Sequence, residues 1–209
     1  MNTGKLRLLH LREQTEAAGE AMADERQRFE RIKGSEPTRA ISAFNLFQTP
    51  EPVAALMAER LAGLVKADAR ILEPSAGLGR LCRAARNAGL CGPMVWVESD
   101  AKCAAELFRT SQGARLVQAD FLACDVERLG GLFDGVLMNP PFKLGTDVKH
   151  IAHARKMLQP GGALIALCYD GVKQRRDIMP IVDSWEPLPA QSFKSEGTRA
   201  DVVMVTIQS

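Results

Sequence analysis

What most restricts the fold of this chain is the regular exchange, between residues 51 and 169, of short apolar runs with longer amphipathic ones. "RILEP" from Arg70, "MVWVESD" from Met94, "RLVQAD" from Arg115, "DGVLM" from Asp134 and "ALIALCY" from Ala163 are each of strand length and apolar on both alternations. Between them lie segments with helical spacing: Glu51 to Val65, "GRLCRAARNAG" stopped by Gly89, "AKCAAELFRT", and "DVKHIAHARKML" ended by "QPGG". Strands without a polar face that alternate with helices require a parallel sheet covered on both sides.

The end of the chain leaves this rhythm. "SFKSEGTRADVVMVTIQS" places a short strand near Phe193, a turn at Glu196 and Gly197, and a strand from Val202 to Ile207, with no helix between them. That pattern is a hairpin, so the last strand should run antiparallel to its neighbour. The expected fold class is therefore α/β: a Rossmann-like doubly wound, mostly parallel seven-stranded sheet with an antiparallel C-terminal strand. Ahead of it, Leu8, Leu11, Ala18, Met22, Phe29 and Ile32 fall at helical spacing in a charged stretch. "KGSEPTRA" then breaks that helix, giving a helical arm and linker over residues 1–40 and one domain over 41–209. The arm reads as a cover for one side of the domain or as a contact for a second copy or partner subunit.

Composition excludes several function classes. At 209 residues, one sizeable core is expected, and 5% aromatic content argues against a broad stacking platform for single strands. A net charge of +2 permits a nucleic-acid partner only through local clusters. The five cysteines are scattered and show neither a CxxC pair nor metal-ligand spacing, so no metal is expected and reduced thiols in a cytoplasm fit best. No run of about eighteen apolar residues calls for a membrane.

Chemistry concentrates where strands end. In "LEPSAGLGRLCRAA", Gly77 and Gly79 form a turn before a helix, able to bring backbone close to a ligand, with Glu73, Pro74 and Ser75 leading into it. Glu98, followed by Ser99, ends the next strand about twenty residues later, where an acidic side chain accepts ribose hydroxyls. Cys82 stands where a dinucleotide fingerprint needs a third glycine, and no lysine of a phosphate loop follows Gly79. These absences favour a nucleoside with a charged amino-acid tail over NAD or ATP. S-adenosylmethionine meets that description, and its positive centres suit Glu73. Asp120 and Phe121, after the third strand, could accept from an adenine amine and pack on its face, although Phe121 reads equally well as a core aromatic.

Asn139, Pro140, Pro141 and Phe142 follow the fourth strand. Prolines end a strand and deny the loop other conformations. With these residues in view, the order "NLFQTPEPVAALM", "LEPSAGLGRL", "VESD", "QADF", "NPPF", "KMLQPGG", "SFKSEGT" resembles class I S-adenosylmethionine-dependent methyltransferases. More narrowly it is similar to bacterial and phage adenine-N6 DNA methyltransferases, over roughly residues 45 to 209. The resemblance implies that the Asn139 side chain and the Pro140 carbonyl accept both N–H bonds of an aromatic amine while Phe142 stacks on the base. It also implies that Phe47, Thr49 and Pro50 border the methionine end of the cofactor; from the residues alone, Thr49 also reads as a helix N-cap with Pro50 at the first helical position. DNA is the expected substrate, an RNA base amine the alternative, and a non-catalytic cofactor-binding subunit a third reading. Motifs of this kind also accompany methylation of protein glutamine amides. Members of that family that choose a sequence usually carry a separate recognition domain. No room for one is expected after the C-terminal hairpin, and Tyr169 to Gln191 reads as a short loop, so site choice would fall to the arm, short loops or another subunit. Lys143, Lys149, Lys173, Arg175 and Arg176 are candidate phosphate contacts or solvated helix cations. His150 and His153 read as surface residues of a helix, and Tyr169 as a pocket wall or a strand end.

Overall fold

The structure, a computed structural model, describes residues 48–110, 113–190, 192–193 and 200–209. The arm expected over residues 1–40, Phe47, and the turn at Glu196 and Gly197 lie outside the described residues. In chain order the elements are α1 (Glu51–Ala62), β1 (Ile71–Glu73), α2 (Arg80–Asn87), β2 (Met94–Glu98), α3 (Ala101–Thr110) and β3 (Arg115–Gln118). There follow α4 (Val126–Leu129), β4 (Phe133–Met138), α5 (Thr146–Arg155), β5 (Leu158–Tyr169), α6 (Val172–Asp177), β6 (Ser184–Pro187) and β7 (Val202–Gln208).

The seven strands form one sheet in the order β3-β2-β1-β4-β5-β7-β6. β1 to β5 are parallel, with Ile71 opposite Met94 and Gly135, whereas β7 is antiparallel to both β5 and β6. Strand order reverses between β1 and β4, and the crevice beyond the carboxyl ends there is where a doubly wound sheet receives a ligand.

Period-two alternation explains why the strands look wholly apolar. Ile71, Trp96, Leu137 and Ile165 face one core with Val53, Met57 and Leu61 of α1 and Leu81 of α2. Their neighbours Leu72, Val95, Val97, Val136 and Leu164 face a second core with Ile151 and Ala154 of α5. Val53, Met57 and Leu61 recur at i+4, so α1 buries a single stripe; Glu51 at its start and Arg60 near its end suit the helix dipole. Gly135 lets α1 lie close, since a Cβ there would sit 2.7 Å from Ile71 Cδ1 and 3.0 Å from Leu61 Cδ2.

Four expectations change. The partner of β7 is Ser184–Pro187, not the segment around Phe193, which lies in a turn. Trp185 and Glu186 alternate between two proline-punctuated flanks, and that short half-exposed edge carries little periodic signal. "QPGG" does not end α5; the helix stops at Arg155 and these residues open β5, where the register with β4 slips between Phe133/Leu158 and Gly135/Ala163. The segment from Tyr169 to Gln191 holds α6 and β6 instead of a plain loop. Pro50, not Thr49, caps α1, and no side chain makes the cap hydrogen bond.

Candidate active site

A cavity of about 960 Å³ opens beyond the carboxyl ends of β1, β2 and β4, at the upper end of the range for ligand sites. Its floor is Glu73, the last residue of β1, 2% exposed. One carboxylate oxygen accepts the Cys82 N–H at 3.1 Å, and the Cys82 sulfur in turn takes the indole N–H of Trp96. Burial, only partly offset by the Cys82 hydrogen bonds, pushes the Glu73 carboxyl up to about 8. The residue that breaks the dinucleotide fingerprint is thus part of a buried polar link beneath the loop.

Pro74, Ser75, Ala76 and Gly77 carry the wall upward from there. Gly77 has φ +54°, and a Cβ on it would lie 2.6 Å from the Gln48 amide. Its N–H donates to Glu98 Oε2 at 2.7 Å, and the Asp100 N–H donates to Oε1 at 2.8 Å. These bonds fix the plane of the Glu98 carboxylate and leave further lone pairs for a ligand. Burial raises the pKa of Glu98, with the Asp100 and Gly77 N–H groups acting against it. Ser99 adjoins it on the wall. Gly79 is different: it caps α2 at φ +74°, its Cβ position would meet Leu107 at 3.0 Å, and it does not line the cavity.

Asp120 and Phe121 enter from the end of β3. Asp120 caps the turn Phe121–Ala123 by accepting the Leu122 N–H at 3.0 Å. The Phe121 ring, 2% exposed, sits against His150 at 5.6 Å and edge-on to His153 at 4.8 Å. His153 Nε2 lies 2.8 Å from the Cys124 carbonyl oxygen. The expectation of surface histidines is corrected for His150: it is 7% exposed, lines the cavity, and is pushed down to about 4 by burial. His150 and His153 look alike in the sequence of a charged helix, so nothing there marks His150 as the buried one. Phe121 belongs to the second core and also lines the cavity.

Asn139, Pro140, Pro141 and Phe142 all reach the same wall from the end of β4. Phe142 is half-buried against the core and opens a turn, Lys143–Gly145. Tyr169 ends β5 and also lines the cavity. Sequence reasoning missed Gln48, Arg80 and the cavity face of Phe193. Arg80, 5% exposed, donates to the Thr49 carbonyl and so holds residues 48–50 over the Gly-containing loop. Thr49 lines the cavity; Pro50 does not. Among the candidate cations only Lys143 reaches the wall. Lys149 is exposed away from it, Lys173 and Arg176 pair with Asp177, and Arg175 pairs with Asp170.

This sheet order and this crevice define a Rossmann-like methyltransferase fold. Residues 51–188 match the Methyltransferase small domain family, and the chain belongs to it. No curated protein matches the sequence. Among solved structures, the chain is similar to the Thermus thermophilus 16S rRNA N2 methyltransferase RsmC in complex with AdoMet and guanosine: 18% identity, TM-score 0.54, 76% of this chain and 43% of that one. TrmN from Thermus thermophilus gives 20% identity, TM-score 0.55, 74% and 49%. The glycopeptide N-methyltransferase MtfA complexed with S-adenosyl-L-methionine gives 15% identity, TM-score 0.55, 83% and 100%. The chain spans less than half the length of RsmC and TrmN. None of the helices among the described residues is long and apolar enough to cross a membrane.

Proposed function

We propose that this domain transfers a methyl group from S-adenosylmethionine to the exocyclic amine of a nucleic-acid base. The single observation that carries the reading is that Asn139 to Phe142 shares one cavity with Gly77, Glu98, Asp120 and Phe121. The residues present fit the cofactor: Gly77 has no side chain between backbone and ligand, Glu98 is a fixed acceptor for ribose hydroxyls, and Phe121 offers an apolar face. Glu73 stands at the floor, held protonated by burial, and a positive group bound beside it would favour its ionised form.

S-adenosylmethionine supplies an electrophilic methyl on a sulfonium. The rest falls to this chain's own groups. The Asn139 side-chain oxygen and the Pro140 carbonyl accept the two N–H bonds of the amine, turning its lone pair toward the methyl. Phe142 stacks on the base and offsets part of the few kcal/mol that unstacking costs. The bond formed at nitrogen would be balanced by departure of the cofactor's sulfur as a thioether, with the proton released to water afterwards. Rate comes from positioning, and no covalent enzyme intermediate is needed.

For the carrier of the base, RNA is the first reading, supported by the fold shared with an rRNA enzyme whose structure holds guanosine. Adenine N6 in DNA is the second, supported by the order Phe47, Thr49, Pro50 ahead of the Gly-containing loop. The "SFKSEGT" segment counted toward DNA as a hairpin with the last strand, but β7 pairs with Ser184–Pro187, and residues 194–198 lie outside the described residues. The test is transfer of labelled methyl from S-adenosylmethionine to RNA and, separately, to unmethylated DNA, with Asn139→Ala as control. Label in RNA supports the first reading, label in DNA alone the second, and label in neither removes the proposal.

A further inference from the structure

Next in the chain to the cavity residue Lys143, and three residues beyond the cavity residue Tyr169, stand two apolar side chains that no core explains. Leu144 is 91% exposed and Val172 87% exposed. Leu144 is also the one non-glycine residue with positive φ among the described residues, at +57°, a conformation that a branched residue adopts at a cost of about 1 kcal/mol or more. Their loops are neighbours, since a Cβ on Gly145 would touch the Lys173 stem at 2.8 Å.

The base beneath them is rigid. Asp147, 0% exposed, accepts the Tyr169 N–H at 3.1 Å and both its oxygens accept from the Gln174 amide at 2.9 and 3.0 Å. This one carboxylate ties α5, the end of β5 and α6 together. The pair is therefore held out by a fixed scaffold at the rim whose inner side is Phe142, Lys143 and Tyr169. The Lys143 side chain has no ion-pair partner among the described residues.

We infer that Leu144 and Val172 form an apolar lip that packs against the base next to the one being methylated, while Lys143 meets the adjoining phosphate. The inference rests on the proposed base-amine activity and specifies how the strand is gripped. Apolar side chains that lean on or between bases hold a strand open, and a cation beside them matches the phosphate that every nucleotide carries. A base drawn into the cavity leaves its neighbour with an uncovered face, and the lip covers that face. Selection by sequence is not required, because every base has such a face.

The test compares wild type with the double variant Leu144→Gly, Val172→Ser and with Leu144→Met, Val172→Ile. Glycine suits φ +57°, and serine at the first residue of α6 is exposed, so neither disturbs packing. On whichever substrate wild type methylates, a 16S rRNA transcript or unmethylated plasmid DNA, the Gly/Ser variant should raise KM about tenfold. Its S-adenosylmethionine affinity by calorimetry should stay at the wild-type value, and the Met/Ile variant should keep the wild-type KM. Equal KM for Gly/Ser and wild type overturns the lip alone. Wild type that binds S-adenosylmethionine but labels neither polymer overturns the base-amine reading and the lip with it.

Discussion

Glu98 Oε2 accepts the Gly77 N–H at 2.7 Å, which ties the end of β2 to the loop after β1. The bond makes one side chain responsible for the loop's shape and, in the proposed reading, for holding the cofactor's ribose. Replacing it by Glu98→Gln turns an acceptor into a donor facing an N–H and removes the charge. Loss of charged hydrogen bonds of 1.5 to 3 kcal/mol corresponds to about 10- to 100-fold weaker S-adenosylmethionine binding, measurable by calorimetry. Affinity within twofold of wild type would contradict the ribose assignment.

Gly77→Ala separates the two glycines of the loop. Alanine at φ +54° is strained, and its Cβ would collide with the Gln48 amide, which must then swing off the cavity wall. The expected result is at least tenfold weaker cofactor binding with a loss of stability of about 1 to 2 kcal/mol. Gly79→Ala strains the start of α2 against Leu107, away from the cavity. It should lower the unfolding midpoint in urea with a smaller effect on affinity of the protein that remains folded.

Asn139→Ala should remove turnover and spare the cofactor. A hydrogen bond that acts only while the amine becomes nucleophilic lowers kcat, and about 100-fold is expected from one lost positioning contact. The S-adenosylmethionine dissociation constant should change less than threefold. A variant with wild-type kcat would show that the amine is held elsewhere.

Glu73 gives the fold a defined pH dependence. Its folded value is raised to about 8 from an ordinary 4.5, so between those values the native state keeps a proton that the unfolded state has lost. Stability is therefore greatest at the acid end of that window and falls as pH rises toward 8. His150 acts in the opposite sense and only between about 4 and 6.5, where the unfolded chain takes up a proton that the buried ring refuses. Above pH 6.5 Glu73 contributes up to about 1.4 kcal/mol per pH unit for its one proton, in the same direction as the buried Glu98 carboxyl and the buried thiols, whose values are also raised. Urea unfolding at pH 6.5 and 8.5 should show a steeper decline in wild type than in Glu73→Gln; equal slopes would contradict the buried, protonated carboxyl.

The parallel core was legible because its strands had to be apolar on both faces, and Met94–Glu98 and Ala101–Thr110 fall where the pattern put them. The site was legible at strand ends, where Gly77, Glu98, Asp120 and Asn139 break apolar runs with residues whose chemistry is not that of a core. Ser184–Pro187 was missed because a four-residue edge strand of intermediate burial has no period to read. His150 and Arg80 were missed because their burial depends on contacts across the fold, with Phe121 and with the Thr49 carbonyl. Lys173, Arg175 and Arg176 look basic in sequence, yet Asp170 and Asp177 pair with them locally.

The most direct test of the account is the identity of the methylated product. Purified protein is incubated with methyl-labelled S-adenosylmethionine and either rRNA or unmethylated DNA, each polymer is digested to nucleosides, and the labelled species is identified by mass spectrometry. The account expects the label on the exocyclic nitrogen of a purine, guanine N2 or adenine N6, and none with Asn139→Ala. Label on a ring carbon, a ring nitrogen or a ribose oxygen would contradict it, because an NH₂ group is what Asn139 and the Pro140 carbonyl are proposed to receive.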